Sequence, residues 1–579
     1  REWAVNTGIP ASHLNSLLSI LRPQFPQLPK DARTLLKTPT SYELKNVAGG
    51  TYYHFGVVPN IVSSLETRPE LLEVIDRDTL FLQVFVDGVP LFRSKSDQFW
   101  PILGRIQDRN ATCFSKPFII GLFLGSSKPN SANDYLKDFV DEMKEVLQDG
   151  VRINSGHILS VIIINVICDT PARSFIKCSK GHSGYSGCDK CCEPGLYTEH
   201  RMTFPNVGVN IRTDQAFKNE EDEEHHRDTS CLIQLELGMV SQFPLDYMHL
   251  ICLGVMRKLL GLWLKGPLAV RLGRQIILAI SNHIILCNQF VPRDFARRGR
   301  ALAEVDRWKA TEFRTFLLYT GPVALKGNLP DPYYSHFLIL VVAMTLLCSP
   351  SKCSDYCEYA KSLLELFVTH FGRLYGKETL IYNVHASSHL ADDVKKYGCV
   401  DKFSAFPFEN FLSSLKRMIR KPQQPLQQII RRLSERNTGT RANLQRGTTQ
   451  FSWKYKHFSG PVPDDASPRS EQFKELHVHG ENYVISTNQR DSTVLVGEDI
   501  FKVKNVLVDG SQPSIVCHKF SSSDSFFDYP IDSCSIGIYC VGELGNTLYF
   551  FPATAIVSKV VLMPFKDRYV AFPLNHVSQ

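Results

Sequence analysis

The chain has 579 residues, 43% of them hydrophobic and 21% charged, a globular composition that excludes extended disorder and collagen-like structure. The length implies several domains. A net charge of +7 is mild for this size, so the placement of charge matters more than its total. The longest apolar runs, 158–168 and 337–348, fall short of the ~20 residues of a membrane-spanning helix, and no membrane association is expected. Sixteen cysteines beside a full hydrophobic complement read as unpaired intracellular thiols with one metal site rather than a disulfide scaffold. Arg1 rather than Met stands first, which points to a preceding segment, where any targeting signal would lie.

In chain order, Leu14, Leu17, Leu18 and Leu21 predict a short helix. The run LFLQVFV (80–86) predicts a strand buried on both faces, and residues 117–124 a second. Tyr135, Leu136, Phe139, Val140, Met143 and Leu147 share one helical face. ILSVIIINVIC (158–168) then predicts another central strand. Strand, strand, helix, strand indicates an α/β sheet. Residues 250–375 carry helical patterns, and a further amphipathic helix starts near Phe408. After about residue 460, short β-rich runs alternate with turn signals. The expected boundaries are 1–75, an N-terminal, partly helical region; 76–249, the first part of an α/β core with a zinc knuckle at about 178–204; 250–400, a helical insertion; 401–450, a helix and basic segment; 451–470, a linker; and 471–579, a separate all-β module.

Acidic residues end both central strands, Asp87 in VFVDGVP and Asp169 in NVICDTPAR. Carboxylates held at adjacent strand ends suit divalent cations with hard oxygen ligands, although Asp-Gly and Asp-Thr-Pro are also ordinary turn sequences. Glu409 stands in the first turn of the 408 helix, with Ser413, Lys416 and Arg420 at +4, +7 and +11. That arrangement suits a metal ligand facing a phosphodiester, or equally a solvated helix face. Residues 416–446 hold Lys416, Arg417, Arg420, Lys421, Arg431, Arg432, Arg436, Arg441 and Arg446 against Glu435 alone, a density able to track a polyanion.

Cys188 and Cys191 form a CxxC knuckle, two of the four ligands of a tetrahedral zinc site. His182, His200, Cys178 and Cys192 are candidates for the others. Asp246 and His249 share a face at i, i+3. His385 and His389, at i, i+4, form a possible metal pair but read better as satisfied structural histidines.

Taken in order, VDGVPLFRSKSDQFWPIL (86–103), PFIIGLFLGSSKP (117–129), YLKDFVDEMKEVLQDG (135–150), CDTPARSF (168–175), GCDKCC, YTEHRMTFP (197–205), LDYMHLICLGVM (245–256), WKATEFRTFLLYTGP (308–322), and HLADD followed by FPFENFLSSLKRMIR resemble the transposases of CACTA (En/Spm-type) DNA transposons. The resemblance covers roughly residues 80–435. It implies an RNase H-like catalytic core interrupted by a large helical insertion, followed here by the all-β module. It implies a DDE triad, Asp87, Asp169 and Glu409, binding two Mg²⁺ or Mn²⁺ ions, with Glu312 as a rival third acid because the family tends to carry Asp there. Asp246 and His249 match the family's DxxH signature, Cys188 and Cys191 its CxxC, and His200 its following HR motif. His182 departs from the basic or Gly residues usual at its position.

The implied activity is cleavage of double-stranded DNA at element ends and joining of the freed 3′-hydroxyl to target DNA. It would be carried out in the nucleus by a self-associating protein with one structural Zn²⁺. Residues 1–60 and the β-rich tail match nothing in that family, which suggests a diverged animal branch or a domesticated host gene. The alternatives of another class are a non-catalytic DNA-binding protein and a partner-binding scaffold.

Overall fold

The apolar runs 80–86 and 158–168 become neighbouring strands. The computed structural model describes residues 1–68, 70–73, 78–92, 95–108, 111, 113–154, 156–437, 450–464, 466–479 and 483–576. The chain is α/β, with a helical middle and a C-terminal all-β sheet. It divides into two units, each built from three stretches of sequence. The first comprises Arg1–His182, Arg212–Pro244 and Ala405–Gln445, and the second Ser183–Ile211, Leu245–Ser404 and Arg446–Gln579.

In the first unit, strands β1 (Lys45–Val47), β2 (Gly50–His54), β3 (Thr79–Val86), β4 (Val89–Pro90), β5 (Gln98–Gln107), β6 (Phe118–Gly125), β7 (Val151–Arg152) and β8 (Ile158–Cys168) form one sheet. Its order is β1-β2-β6-β5-β3-β8-β7, with β4 paired to β5. The pairings β2–β6, β6–β5 and β5–β3 are antiparallel, whereas β3–β8 is parallel. Most of β3 is buried, as a central parallel strand requires.

Strand β5 carries Pro101 and Gly104, residues that ordinarily argue against a central strand. Its pairing with β6 shifts register between Ile102 and Leu103. Gly104 is needed because a Cβ there would sit 2.5 Å from the Phe118 ring. Helix Ala132–Asp149, N-capped by Ser131, lays Tyr135, Leu136, Phe139, Val140 and Met143 into the core beneath the sheet. The outer face of the same helix carries Glu142, whose carboxylate accepts hydrogen bonds from the Val57 N–H (2.8 Å), the Val58 N–H (3.1 Å) and His54 Nε2 (2.7 Å). These bonds hold the start of helix Val58–Thr67.

The second unit contains the helical middle and the β module together. A wide π-helical stretch, Met248–Met256, runs into helix Arg257–Lys265, and a second, Phe316–Thr320, joins Ala310–Thr315 to Gly321–Leu325. Helix Asp331–Cys348 is long and apolar enough to cross a membrane, but 78% of it is buried inside the protein. It is apolar on every face because it is a core helix, packed against Cys357–Tyr375. A hairpin of β9 (Leu196–Thr198) and β10 (Arg201–Thr203) follows the knuckle.

The C-terminal sheet contains β11 (Phe451–His457), β12 (Glu471–Val478), β13 (Tyr483–Ser486), β14 (Thr493–Val496), β15 (Asp499–Asp509), β16 (Gln512–Phe520), β17 (Ser523–Ser525), β18 (Tyr539–Val541), β19 (Leu544–Pro552), β20 (Ile556–Phe565) and β21 (Arg568–Pro573). Strand β11 lies inside the expected linker and pairs with β12, so the sheet starts earlier than 471. Nor is the module separate. Lys559, fully buried, bonds Asp491 (2.8 Å) and also Asp294 of the helical middle. Arg293 bridges Asp491 (3.1 Å) and Glu475 (2.6 Å). Buried ion pairs of this kind fix a single arrangement, because breaking one strands a charge in the interior.

Burial acts to raise the Glu142 pKa, but bonds from His54, Val57 and Val58 hold it below the usual glutamate range. A depressed carboxylate stabilises the fold above its unfolded pKa, and that contribution is lost as pH falls through the folded value. Glu142→Gln is therefore expected to cost about 1–3 kcal/mol at neutral pH. In urea unfolding the gap between variant and parent should close below about pH 4. An equal gap at both pH values would contradict this account.

Candidate metal centres

Cys188 and Cys191 leave the knuckle buried at 0% exposure, and His385 (0%) and His389 (5%) are buried with them. One ligand atom from each lies within 4.8 Å of the others. Cys191 Sγ is 3.2 Å from His385 Nε2, which is 3.3 Å from His389 Nε2. A tetrahedral ion with metal–nitrogen bonds of ~2.0–2.1 Å would have nitrogen–nitrogen edges of about 3.3–3.4 Å, so the imidazole spacing fits. Burial acts to raise the Cys188 thiol, but bonds to Cys191, His385 and His389 outweigh it and hold the group well below the ordinary thiol range. His389 moves the opposite way. Burial lowers it, and its bond to Cys188 more than restores it.

The intervening knuckle residues fasten this cluster. Lys190 Nζ bonds Asp393 Oδ1 (2.7 Å) with both side chains buried, and the other Asp393 oxygen accepts the Leu245 N–H (2.7 Å). Tyr382 donates to Asp189. Leu245 opens the segment that carries Asp246, whose buried carboxylate accepts from both the His249 N–H (3.0 Å) and His249 Nδ1 (2.7 Å). That bond sets the ring's tautomer, with Nε2 as the acceptor nitrogen.

The expected partners of the knuckle are corrected by this geometry. His200, exposed, lies with Glu199 in the β9–β10 turn. Both have positive φ, +61 and +48, as a two-residue hairpin turn demands. His182 is exposed and belongs to the first unit, as does Cys178, while Cys192 is exposed. His385 and His389, read from sequence as structural, complete the cluster instead. Their i, i+4 spacing is the one local signal that could have shown this. None of the sixteen cysteines forms a disulfide.

The second grouping lies in the first unit. Asp87 and Asp169 directly follow Val86 and Cys168, which are partners in the parallel β3–β8 register. The two acids therefore leave the sheet side by side. Asp87 is 8% exposed and accepts the Gly88 N–H (2.6 Å). Helix Phe406–Met418 lays Phe408 flat on Phe85 of β3, with ring centroids 4.8 Å apart and planes at 4°. The next residue, Glu409, thereby brings a carboxylate oxygen within 4.8 Å of that of Asp87. Two carboxylates so close favour a cation between them. Asp169 departs from the expected triad. It lies outside that group and caps helix Thr170–Ile176, accepting the Ala172 N–H at 2.7 Å. Glu312, the rival acid, belongs to the second unit. It is saturated by Arg300 Nε and Nη2 (2.8 Å each) and the Lys309 N–H (2.8 Å).

The basic segment divides. Lys416 and Arg417 lie in the last turn of the Glu409 helix. Arg420, expected on the Glu409 face, falls beyond the helix end and donates to the Gly8 carbonyl. Lys421 is exposed. A second helix, Pro425–Asn437, buries Leu426, Ile429 and Ile430. Arg431 bonds the Tyr42 hydroxyl (3.0 Å), and Arg432 is half-buried, with its pKa lowered by burial and by Arg420. Arg441 and Arg446 lie outside the described residues.

Residues 456–574 match a family model described as a domain of unknown function, DUF8592. No curated protein matches the chain. The family match falls within the β module and brings no activity with it.

If the Cys188 cluster holds a metal, its content should follow the four buried donors. Cys188→Ala and His385→Ala are each expected to lose one equivalent of metal per chain by plasma mass spectrometry, and to lower the melting temperature by several degrees. His200→Ala should change neither. Loss of metal in His200→Ala with retention in His385→Ala would restore the ligand set expected from sequence.

Proposed function

We propose that the first unit is an RNase H-like core that cleaves and rejoins DNA by metal-dependent phosphoryl transfer, as a DDE-type transposase does. The observation that carries this reading is the convergence of Asp87 and Glu409 across the whole intervening helical segment. It is supported by the strand order β6-β5-β3-β8, in which two antiparallel pairings precede the parallel one. That order is the arrangement expected of such a core.

Asp87 and Glu409 would hold the first divalent cation. Asp169, which directly follows β8, would turn from its capping bond to complete the set. Mg²⁺ or Mn²⁺ suits these oxygen donors and, when bound, supplies activation of water and stabilisation of the leaving 3′-oxygen. The chain's own share is positioning. The β3–β8 register fixes two carboxylates, and the Phe85–Phe408 stack fixes the third. Lys416, Arg417 and Lys421, following Glu409, would hold the phosphates of double-stranded DNA. The buried Cys188, Cys191, His385 and His389 set suits one structural Zn²⁺, since thiolate and imidazole donors in a closed tetrahedron leave no open position for chemistry. Action on transposon-like DNA implies a nuclear, self-associating protein.

The capping bond of Asp169 favours a second reading, a domesticated DNA-binding protein that keeps the core but not the reaction. One experiment separates the two. The chain is incubated with supercoiled DNA and Mg²⁺ or Mn²⁺ beside Asp87→Asn, Asp169→Asn and Glu409→Gln. The transposase reading expects nicking by the parent, lowered at least ~100-fold in each variant, with DNA binding kept. Its binding should weaken steeply with salt, by about 0.9 in logarithmic slope for each phosphate neutralised. Binding without nicking by the parent selects the second reading, and nicking by Asp87→Asn at the parent rate overturns the assignment.

A further inference from the structure

Strand β11 reads FSWKYKH and ends the C-terminal sheet, with β12 its neighbour. Phe451 and Trp453 turn towards the core. The ladder then breaks. Lys454 pairs with Glu475 and Lys456 with Phe473, while Tyr455 between them takes φ +61. A bulky residue in the left-handed region is strained, and such strain persists where the fold or a function demands it. Here it accompanies a ring turned outward. Tyr455 is 64% exposed and Phe458 82%, the two most exposed aromatic side chains among the described residues.

Cations surround these rings. Lys454 and Lys456 flank Tyr455, and Lys474 stands opposite it on β12; all three are exposed. Lys456 lies 6.0 Å from the centre of the Phe458 ring and also pairs with Glu471. Nearby, His479 lies 2.8 Å from Ser452 Oγ and His477 bonds Glu475 (3.2 Å). Of the nearby acids, Glu475 is engaged by Arg293. Burial, and after it the Lys454 charge, hold the His477 pKa below its ordinary value against the opposing effect of Glu475.

We propose that this edge is a binding platform for single-stranded nucleic acid, with Tyr455 and Phe458 stacking on bases and Lys454 and Lys474 holding phosphates. Planar rings in a cationic rim match a polyanion whose bases are uncovered, whereas the bases of a duplex are already stacked on one another. An acidic peptide would use the lysines but has no general need of two exposed rings. The rings stand three residues apart, at most ~10 Å along an extended chain, a reach that neighbouring unstacked bases can span. The platform uses neither Asp87 nor Glu409, so it stands or falls independently of the catalytic reading.

The test is fluorescence anisotropy of the full chain with a labelled mixed-sequence single-stranded 20-mer and the matching duplex. Tyr455→Ala/Phe458→Ala is expected to weaken single-strand binding at least ~10-fold and leave duplex binding and the melting temperature unchanged. Lys454→Ala/Lys474→Ala should lower the single-strand salt slope by about 0.7 for each phosphate that the variant no longer neutralises. Single-strand binding equal to the parent's in the aromatic double variant overturns the proposal, as does equal loss of duplex binding. Binding to phosphatidylserine vesicles that is lost in the aromatic variant, with no oligonucleotide binding, also overturns it and assigns the edge to a membrane surface.

Discussion

Parallel strands placed side by side present the same ends to the same edge of a sheet, and β3 and β8 are paired so that Val86 faces Cys168. That register decides where Asp87 and Asp169 emerge. A slip of one residue would turn each side chain to the opposite face. The pairing is held because both strands are largely buried at these ends, and a shifted register would place apolar side chains wrongly in the core cluster. Gly88 follows Asp87 for a related reason. A Cβ there would lie 2.8 Å from the Trp100 ring, so the turn out of β3 closes against Trp100 only without a side chain. An aspartate almost buried at such an edge is costly to hold as an anion. Its Gly88 bond and its proximity to Glu409 make the edge a place where a cation would lower the energy.

The second unit depends on contacts that join distant parts of the chain. Cys191 and His385 are 194 residues apart in sequence, and ligation across such a span would draw together segments whose loop-closure entropy opposes folding. Lys190 and Asp393 do part of the same work without a metal, and Asp393 continues the link to Leu245, where the Asp246–His249 segment begins. The knuckle therefore positions more than its own loop. In the same unit, Lys559 between Asp294 and Asp491 ties the β module to the helical middle. A lysine at 0% exposure requires both aspartates.

Elements whose signal is local were legible in the sequence. The run 158–168 is strand β8 residue for residue, and the apolar face of 133–147 lies inside helix Ala132–Asp149. Strand β5 was hidden by Pro101 and Gly104, because its place in the sheet is decided by Phe118 and the β6 register rather than by its own composition. Strand β11 was hidden by its lysines, which look like linker until the strand is seen at an edge. At the candidate sites, Asp87 and Glu409 could each be singled out by their positions at a strand end and in a first helical turn. The zinc-type donor set could be read only by half. CxxC is a motif in one segment, while its partners lie in a helix end and the following 3₁₀ turn, where their i, i+4 spacing is a signal that structural histidines share.

Charge was the least legible property, because sequence density does not distinguish a cation facing water from one that fastens the fold. Arg293 and Arg300, the first and last of the four arginines within 293–300, are engaged by Asp491, Glu475 and Glu312. Arg420 and Arg431, in the densest cluster, bind the Gly8 carbonyl and the Tyr42 hydroxyl. Lys454 and Lys474 sit in a stretch of unremarkable charge, yet both are exposed beside an exposed ring. A side chain already committed to an internal partner must lose that partner before it meets a phosphate, whereas one already in water gives up only solvent and counterions. The linear run of arginines after Glu409 therefore overstates the charge available to a polyanion there, and the β module offers more than its composition suggests.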